Sequence, residues 1–513
     1  MTRLVGPGAV AFVALWLLLL AAGRSSFFRD PGTFWHVTTG DRILADGFLR
    51  ADPYTFTFAG TWWVPYQWLG EVGMALAHRA GGFDLLLVLT CTVLAGTFAV
   101  LYARLHATGL NPVAAGVVLL LGLAAAASHF HVRPHLATIA GMAGTMILLV
   151  AVDAGRVPVR RLVWLVPAFA VWANVHGGVL AGMGTVGLTV AGWLLGYVRR
   201  ARATVSGQSP PVATGGPPLR SRQDVMWACI ATAGCVLSAL VNPYGLDLLR
   251  TWHVIMGEPA LKAIVQEHSA LDPAAPYAWP VFALAAVYTA VLAGVPRSEL
   301  RVSWFLPAVW FVLTLDRVRH APLFAVAALV VVAAAWPHTR WAAWLARHRP
   351  DVYRPREGGG GRNLWLPAVL VGVAGLASIG GVGWARLDPT HWPVELLPEL
   401  RAHEPRSSAD PHRLFNGYID GGFVIYHAPG YKVFVDDRCE VFGGDWLLAF
   451  VRADAEGTAD AVAGWEARYG RFDFALVRAG TGFEAYFRAA PGWELVQRTG
   501  VASFYRRAAL LRR

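Results

Sequence analysis

Eleven long apolar runs, with polar residues gathered at one end of them, constrain this chain more than any other feature. The runs lie at about 5–22, 83–103, 113–128, 136–152, 159–175, 178–198, 225–241, 278–295, 300–315, 321–336 and 364–385. A helix rises 1.5 Å per residue, so about 20 residues cross roughly 30 Å of hydrocarbon. Threaded through a bilayer, Asp30, His36, His129, His131, Arg133, His135, Asn174, His176, Arg317, Arg319 and His320 all emerge on one face. Ionisable groups at membrane depth are costly and usually line a cavity or a pathway. The fifth, ninth and tenth runs are short, which places their polar ends below the membrane surface, where only protein or a wet cavity tolerates them.

Composition agrees with a polytopic membrane protein: 56% of the 513 residues are hydrophobic and 15% charged. The expected fold class is mainly α, about eleven transmembrane helices followed by a small α/β extracytoplasmic domain at the C-terminus. Arginine placement sets the orientation. With the N-terminus inside, the inner segments hold eighteen cations, clustered at Arg156–Arg161, Arg199–Arg222 and Arg340–Arg362, against ten spread over the longer outer loops. The positive-inside rule then puts the N-terminus in the cytoplasm and residues 386–513 outside, as in a multi-pass protein of the cell inner membrane. The net charge of +11 follows from this bias and is not gathered on a soluble domain, which argues against nucleic-acid binding. The first run has a competing reading as a cleaved signal peptide, because Arg3, an apolar core and Ala21-Ala22-Gly23 follow in that order; a retained anchor is preferred, since no clear cleavage site follows. Cys91, Cys229 and Cys235 sit in the runs and Cys439 stands alone in the C-terminal segment, so no disulfide framework is expected.

The chain divides into a transmembrane domain, residues 1–385, with a long first outer loop at 24–82, and a soluble α/β domain, residues 386–513. The loop is rich in Trp and Tyr, and Trp68–His78 suits a helix lying in the interface. Segments 199–223 and 350–363 have linker composition. In the C-terminal domain the pattern predicts strands at Lys432–Asp436, Phe472–Arg478, Trp493–Arg498 and Val501–Tyr505, and helices at Trp446–Ala455, Ala459–Tyr469 and Phe483–Ala490. No glycine-rich phosphate loop opens any of these helices.

Four stretches could carry chemistry. In Arg29-Asp30-Pro31-Gly32-Thr33-Phe34-Trp35-His36, Asp30 could take a proton from a hydroxyl or bind a divalent cation; the plainer reading is a turn in which Asp30 caps the next helix. In His129-Phe-His131-Val-Arg133-Pro134-His135, an extended backbone would point His129, His131 and Arg133 to one side, toward an anionic head group or a metal; a guanidinium suits phosphate best. Trp172-Ala-Asn174-Val-His176-Gly177-Gly178 makes a tight reversal, and Asn174 and His176 either cap a hairpin or stand on a cavity wall. Asp316-Arg317-Val-Arg319-His320 brings two arginines close to hydrocarbon, as snorkelling anchors or as ligands of a lipid phosphate, with Asp316 orienting an arginine. Asp436 and Asp437 are adjacent on a strand, point to opposite faces and so are not a catalytic pair; Glu71 and Asp52 rank lower.

At Asp30-Pro31…Phe34-Trp35-His36 the chain resembles the membrane-bound glycosyltransferases of the GT-C superfamily, and its first outer loop is similar to that of oligosaccharyltransferase catalytic subunits. The longer pattern Asp30…Trp35-His36…Gly40…Gly47…Asp52-Pro53…Trp63…Trp68-Leu69…Glu71 resembles a group of bacterial members more closely, as do Arg133-Pro134-His135, Asn174-Val-His176-Gly177-Gly178, Arg319-His320-Ala-Pro322 and Tyr431…Asp436-Asp437-Arg438. The resemblance implies a polyprenyl-phosphate-linked sugar donor, membrane lipids as partners, a hydroxyl acceptor and work on the outer face. It makes Asp30 the catalytic acid, or the metal-binding one if Mg²⁺ or Mn²⁺ takes part. It also implies donor-phosphate contacts from Arg133 or the Arg317/Arg319 pair, with His36, His135, Asn174, His176 and His320 as further substrate-binding candidates. The Trp-Trp-Asp-Tyr-Gly motif of oligosaccharyltransferases is absent, so transfer to asparagine is not expected. The alternatives from other classes are a transporter or flippase of a lipid-linked intermediate, and an oligosaccharide ligase or polymerase. Polar groups gathered at one end, rather than at the midplane, favour an enzyme over a transporter.

Overall fold

The computed structural model describes residues 6–205, 217–355, 364–405, 411–456 and 459–508; the centres of both linker segments lie outside them. Every apolar run is helical in it. Among the described residues, seven helical stretches are long and apolar enough to cross a membrane, and Ala278–Gly294, Val302–Asp316 and Trp365–Ile379 are shorter apolar ones. The first helices in order are α1 (Pro7–Ser26), α2 (Gly32–Asp46), α3 (Trp68–Ala107), α4 (Pro112–Ala126), α5 (Leu136–Asp153), α6 (Leu165–Val175) and α7 (Val179–Val205). The fifth run opens with a 3₁₀ segment, Val159–Trp164, before α6.

The helix Ala321–Ala335 forms the axis of the bundle. Apart from the intermediate Ala334, all of its residues are buried, against α3, α4, α5 and the helices Ala278–Gly294 and Leu306–Asp316. A helix that is apolar all round has no solvent or lipid face to keep, which is why it fits the centre. The expectation that this tenth run is too short is corrected: 3₁₀ turns at Val318–His320 and Trp336–His338 extend it to 21 residues.

α3 is broken at Gly81 (φ −151°, ψ 24°) and Gly82 (φ 61°, ψ −156°), a left-handed conformation that glycine adopts without strain. Residues 68–80 therefore leave the line of the span and pack under α2. There the backbones come so close that a Cβ on Gly40 would lie 2.0 Å from the Glu71 carbonyl oxygen. α2 is the helix that the turn reading of Asp30 expects, though its extent has no sequence signature. It is buried on nearly every side, from Gly32 to Val37 and again at Thr39, Gly40 and Ile43, so its sequence carries no one-sided helical stripe.

The C-terminal segment builds a five-stranded sheet in the order β2-β1-β3-β5-β4, where β1 is His412–Asn416, β2 Tyr431–Val433, β3 Phe474–Arg478, β4 Trp493–Arg498 and β5 Ala502–Arg507. β2, β1 and β3 are parallel, and β5 and β4 add antiparallel. The helix Asp420–His427 crosses from β1 to β2. The first outer loop covers the β2 edge: Val433 N–H donates to the Tyr54 carbonyl at 3.2 Å, Phe56 N–H to that of Val433 at 3.2 Å, and Thr57 Oγ1 to that of Phe434 at 2.7 Å. Covering an edge in this way removes a site for stray strand pairing. Phe34, Trp35, Tyr54 and Trp63 of the loop share one hydrophobic core with Trp392, Phe423, Val433 and Phe434, so the C-terminal segment does not bury its apolar residues alone.

A buried charge cluster closes this junction. Arg438 Nη2 donates to Asp52 Oδ1 at 2.7 Å and to Asp436 Oδ2 at 2.6 Å, with all three side chains 0% exposed. Its guanidinium lies 4.8 Å from the Tyr54 ring centroid and 4.5 Å from that of Trp63.

Candidate active site

Two loops meet where α1 gives way to α2 and α4 to α5. Val132 N–H donates to the Phe27 carbonyl at 3.0 Å, and Thr33 Oγ1 to the Val132 carbonyl at 2.9 Å, which brings Arg133 alongside Asp30. Arg133 Nη1 then donates to Asp30 Oδ2 at 2.9 Å, while the other carboxylate oxygen accepts Gly32 N–H at 2.7 Å. One Asp30 oxygen thus forms the turn that the plainer reading expects, and the other is held in an ion pair. Gly32 is required by the fit, because a Cβ there would lie 2.8 Å from Asp30 Oδ1 and 2.9 Å from Arg133 Nε. Burial would raise the Asp30 carboxyl, but Arg133 and His131 outweigh it and hold it below the ordinary carboxylate range.

The C-terminal domain reaches the same spot. Asp437 Oδ1 accepts the indole N–H of Trp35 at 2.9 Å, while Asp436 turns the other way into the Arg438 cluster. Burial and the nearby charge of Asp30 push the Asp437 carboxyl up to about 8. The two acids differ in environment: Asp30 faces a guanidinium and Asp437 a neutral indole. The negative charge of Asp30 makes Asp437 the tighter holder of a proton.

A third acid was missed from the sequence. Glu267, in the 3₁₀ turn Gln266–His268, lies 3.9 Å from Arg319 Nη1 and keeps its side chain 36% exposed. Burial opposes its charge, yet Arg319, Arg133 and His129 together hold its carboxyl well below the usual range. His268 sits between the two arginines of the ninth-to-tenth connection, with Arg319 Nη1 2.5 Å from Nε2 and Arg317 Nη1 3.3 Å from Nδ1. Burial and Arg319 keep that imidazole neutral, down to about 3. Asp316 contacts Lys262 at 2.5 Å and Arg317 at 3.7 Å. Only the proximity of Arg319 to the acidic centre could have flagged Glu267, and proximity is not written in the sequence.

The histidines surround this pair of charge clusters. The expected extended strand through His129–Arg133 is corrected: Ala127–His129 is a 3₁₀ turn, and His135 Nε2 donates back to the His129 carbonyl at 2.6 Å. Pro134 and the stitched loop force this compact path. Burial and Arg133 push His135 down to about 4, so it is neutral with its proton on Nε2. Nδ1 of His131, Nδ1 of His135 and Nε of Arg133 are buried without a protein partner, as groups are that face a polar ligand or water. His176 Nδ1 accepts Gly178 N–H at 3.0 Å and lies 2.8 Å from Thr138 Oγ1, so its proton is on Nε2.

No protein-family model matches the sequence, and no curated protein matches it. Among solved structures, the chain is similar over 92% of its length to 69% of the Archaeoglobus fulgidus oligosaccharyltransferase AglB in complex with an inhibitory peptide and a dolichol-phosphate (TM-score 0.52, 11% identity). It is similar over 97% of its length to 97% of ArnT from Cupriavidus metallidurans bound to undecaprenyl phosphate (TM-score 0.51, 14% identity). This is the GT-C fold.

Within the GT-C fold of this chain, three of the expected substrate-binding residues have protein partners. Asn174, expected on the cavity wall, is consumed as a clamp: its Oδ1 accepts Trp68 Nε1 at 2.5 Å, and its Nδ2 donates to the Ala170 and Val241 carbonyls at 2.7 Å each. His36 is fully buried behind Trp35 and bonds Glu71 Oε1 through Nδ1 at 3.0 Å. His320 donates to the Leu313 carbonyl at 3.0 Å and packs on Trp310. A divalent cation at this site would have to compete for Asp30. Both Asp30 oxygens are already engaged, by Arg133 and by Gly32, and no three acid, His or Cys side chains converge among the described residues.

Proposed function

We propose that the chain is a multi-pass membrane glycosyltransferase that moves a sugar from a polyprenyl-phosphate-linked donor to a hydroxyl acceptor. The observation that carries this reading is the Asp30–Arg133 ion pair, with Asp437 and the Glu267–Arg319 pair near enough to act on it by charge, within the GT-C fold. AglB and ArnT, which share that fold, hold dolichol-phosphate and undecaprenyl phosphate respectively.

Arg133 and Arg319, with Arg317 behind them, receive the donor phosphate, since a guanidinium grips phosphate through two parallel N–H bonds. The acceptor hydroxyl oxygen attacks the anomeric carbon, the bond from that carbon to the phosphate oxygen breaks, and the lipid phosphate leaves with its charge on the arginines. The hydroxyl proton passes to the Asp30–Asp437 pair, whose upper titration near 8 suits a base that must take up a proton near neutrality. Direct displacement inverts the anomeric configuration. Two charge-assisted bonds of about 1.5–3 kcal/mol each, strengthened as charge develops on the leaving phosphate, give about two to four decades in rate. No step is routed through a metal. We read the site as extracytoplasmic, in the inner membrane.

The test uses the full chain in nanodiscs with a labelled polyprenyl-phosphate sugar and a panel of hydroxyl acceptors. Release of polyprenyl phosphate by the wild type and its loss in Asp30→Asn support the reading. An Asp30→Asn protein that remains folded and transfers at the wild-type rate overturns it.

A further inference from the structure

The end of the membrane domain opposite the sheet also holds charged groups, and the mechanism uses none of them. α5 runs from Leu136, beside Arg133, to Asp153; the central helix runs from Ala321, beside Arg319, to Ala335. Asp153, Arg301 and His338 therefore stand a full span away from Asp30. Between these ends lies a cavity of about 210 Å³, lined by Val150, Arg156, Arg301, Trp304, Ala334 and His338.

The polar groups of this cavity are donors. Trp304 is 1% exposed, yet its indole N–H has no protein partner, an expensive arrangement unless a ligand or water accepts it. Arg301 donates Nη1 to the Asp153 carbonyl at 2.6 Å and lines the cavity, as does the exposed Arg156. The acids nearby already have partners. The Asp153 carboxylate accepts Trp193 Nε1 at 3.0 Å and Ser303 N–H at 2.8 Å, and Glu299 takes His338 Nδ1 at 2.6 Å. An occupant must supply acceptor oxygens and negative charge.

The neighbouring helix Arg340–His348 indicates where that occupant comes from. Trp341 and Trp344 are 40% and 50% exposed, and Arg340 lies over the Trp341 ring at 4.2 Å. Arg347 and His348 occupy its last turn. A short helix that exposes tryptophans and arginines along one arc, with Ala342 buried behind it, suits a membrane interface and attracts anionic lipid.

We propose that this cavity binds the phosphate of an anionic lipid headgroup from the leaflet on that side, with Trp304 Nε1 and the Arg156 and Arg301 guanidiniums as its donors. The test is native mass spectrometry of the full chain released from nanodiscs containing equal phosphatidylglycerol and phosphatidylcholine, with and without inorganic phosphate. The wild type is expected to retain phosphatidylglycerol about tenfold over phosphatidylcholine, as one charge-assisted contact allows. Arg156→Gln and Trp304→Phe, the second removing only the N–H, should bring retention close to parity, while Trp279→Phe on the exposed surface should not. Arg156 is exposed, so its variant keeps the proposal testable if Trp304→Phe fails to fold. Retention of inorganic phosphate without lipid preference, lost in the same variants, supports the phosphate site and assigns its ligand to solution. No preference for either anion in the wild type, or undiminished preference in both variants, overturns the proposal.

Discussion

Trp35 hands its indole N–H to Asp437 at 2.9 Å across 402 residues of chain, tying the C-terminal domain to the loop that presents Asp30. The acid with the raised affinity for a proton is therefore contributed by the last domain, and the acid with the lowered one by the first loop. That division is what the pH dependence should report.

The Asp437 carboxyl, held up to about 8 by burial and by Asp30, is protonated at neutral pH and becomes a base as pH rises. Transfer is expected to increase through about pH 8 in the wild type. In Asp437→Asn that rise should vanish, leaving a low, flat profile. The sign for stability is the reverse. A carboxyl whose proton is held more tightly when folded contributes stability at low pH, and loses it as pH climbs from the ordinary carboxylate range toward 8. Melting temperature should fall over that window in the wild type and stay level in the variant.

Gly32→Ala tests the ion pair without touching its charges. The added methyl would meet Asp30 Oδ1 and Arg133 Nε at under 3 Å, so it must push the two apart. Transfer should drop by about tenfold or more, consistent with the ~1.5–3 kcal/mol of one charge-assisted bond, while membrane insertion and melting change little. Unchanged turnover would mean that the pair's geometry is irrelevant to the reaction.

Glu267→Gln should release Arg319 from its acidic neighbour, and Arg319→Ala should remove a phosphate ligand. The expected pattern is a higher KM for the lipid donor in Arg319→Ala, by about tenfold to a hundredfold. Glu267→Gln should alter KM less than kcat. Equal effects of both on KM alone would reduce Glu267 to a support for the arginine.

Arg438→Met leaves Asp52 and Asp436 buried and unpaired. Removing one partner of a buried ion pair costs about 3–5 kcal/mol, so limited proteolysis should open the C-terminal segment first. Asp436→Asn, which keeps a hydrogen-bonding side chain, should be milder.

The membrane half was legible because a lipid-facing helix must be apolar over its whole length, and nothing else produces such runs. Asp30 and Arg133 were visible as polar breaks at the ends of those runs. Glu267 was not, since Gln266-Glu267-His268 lies in a polar connection where an acid needs no explanation. Asn174 stayed open between two readings because an amide near hydrocarbon demands partners, and backbone carbonyls together with Trp68 supply them as well as a ligand would. The extent of α2 escaped because it is covered by the membrane domain on one side and the C-terminal segment on the other, which erases the periodicity that betrays a surface helix. β1, His412–Asn416, was too short and too polar at its start to stand out, although the strands β3 and β4 did.

The contact between Arg438 and Asp52, 386 positions apart, carries a consequence for biosynthesis. The acidic partner is made before most of the spans, and its guanidinium only after the last of them has left the ribosome. Until then Asp52 and the aromatic loop must wait without their cover, and any truncation before Arg438 would strand them permanently.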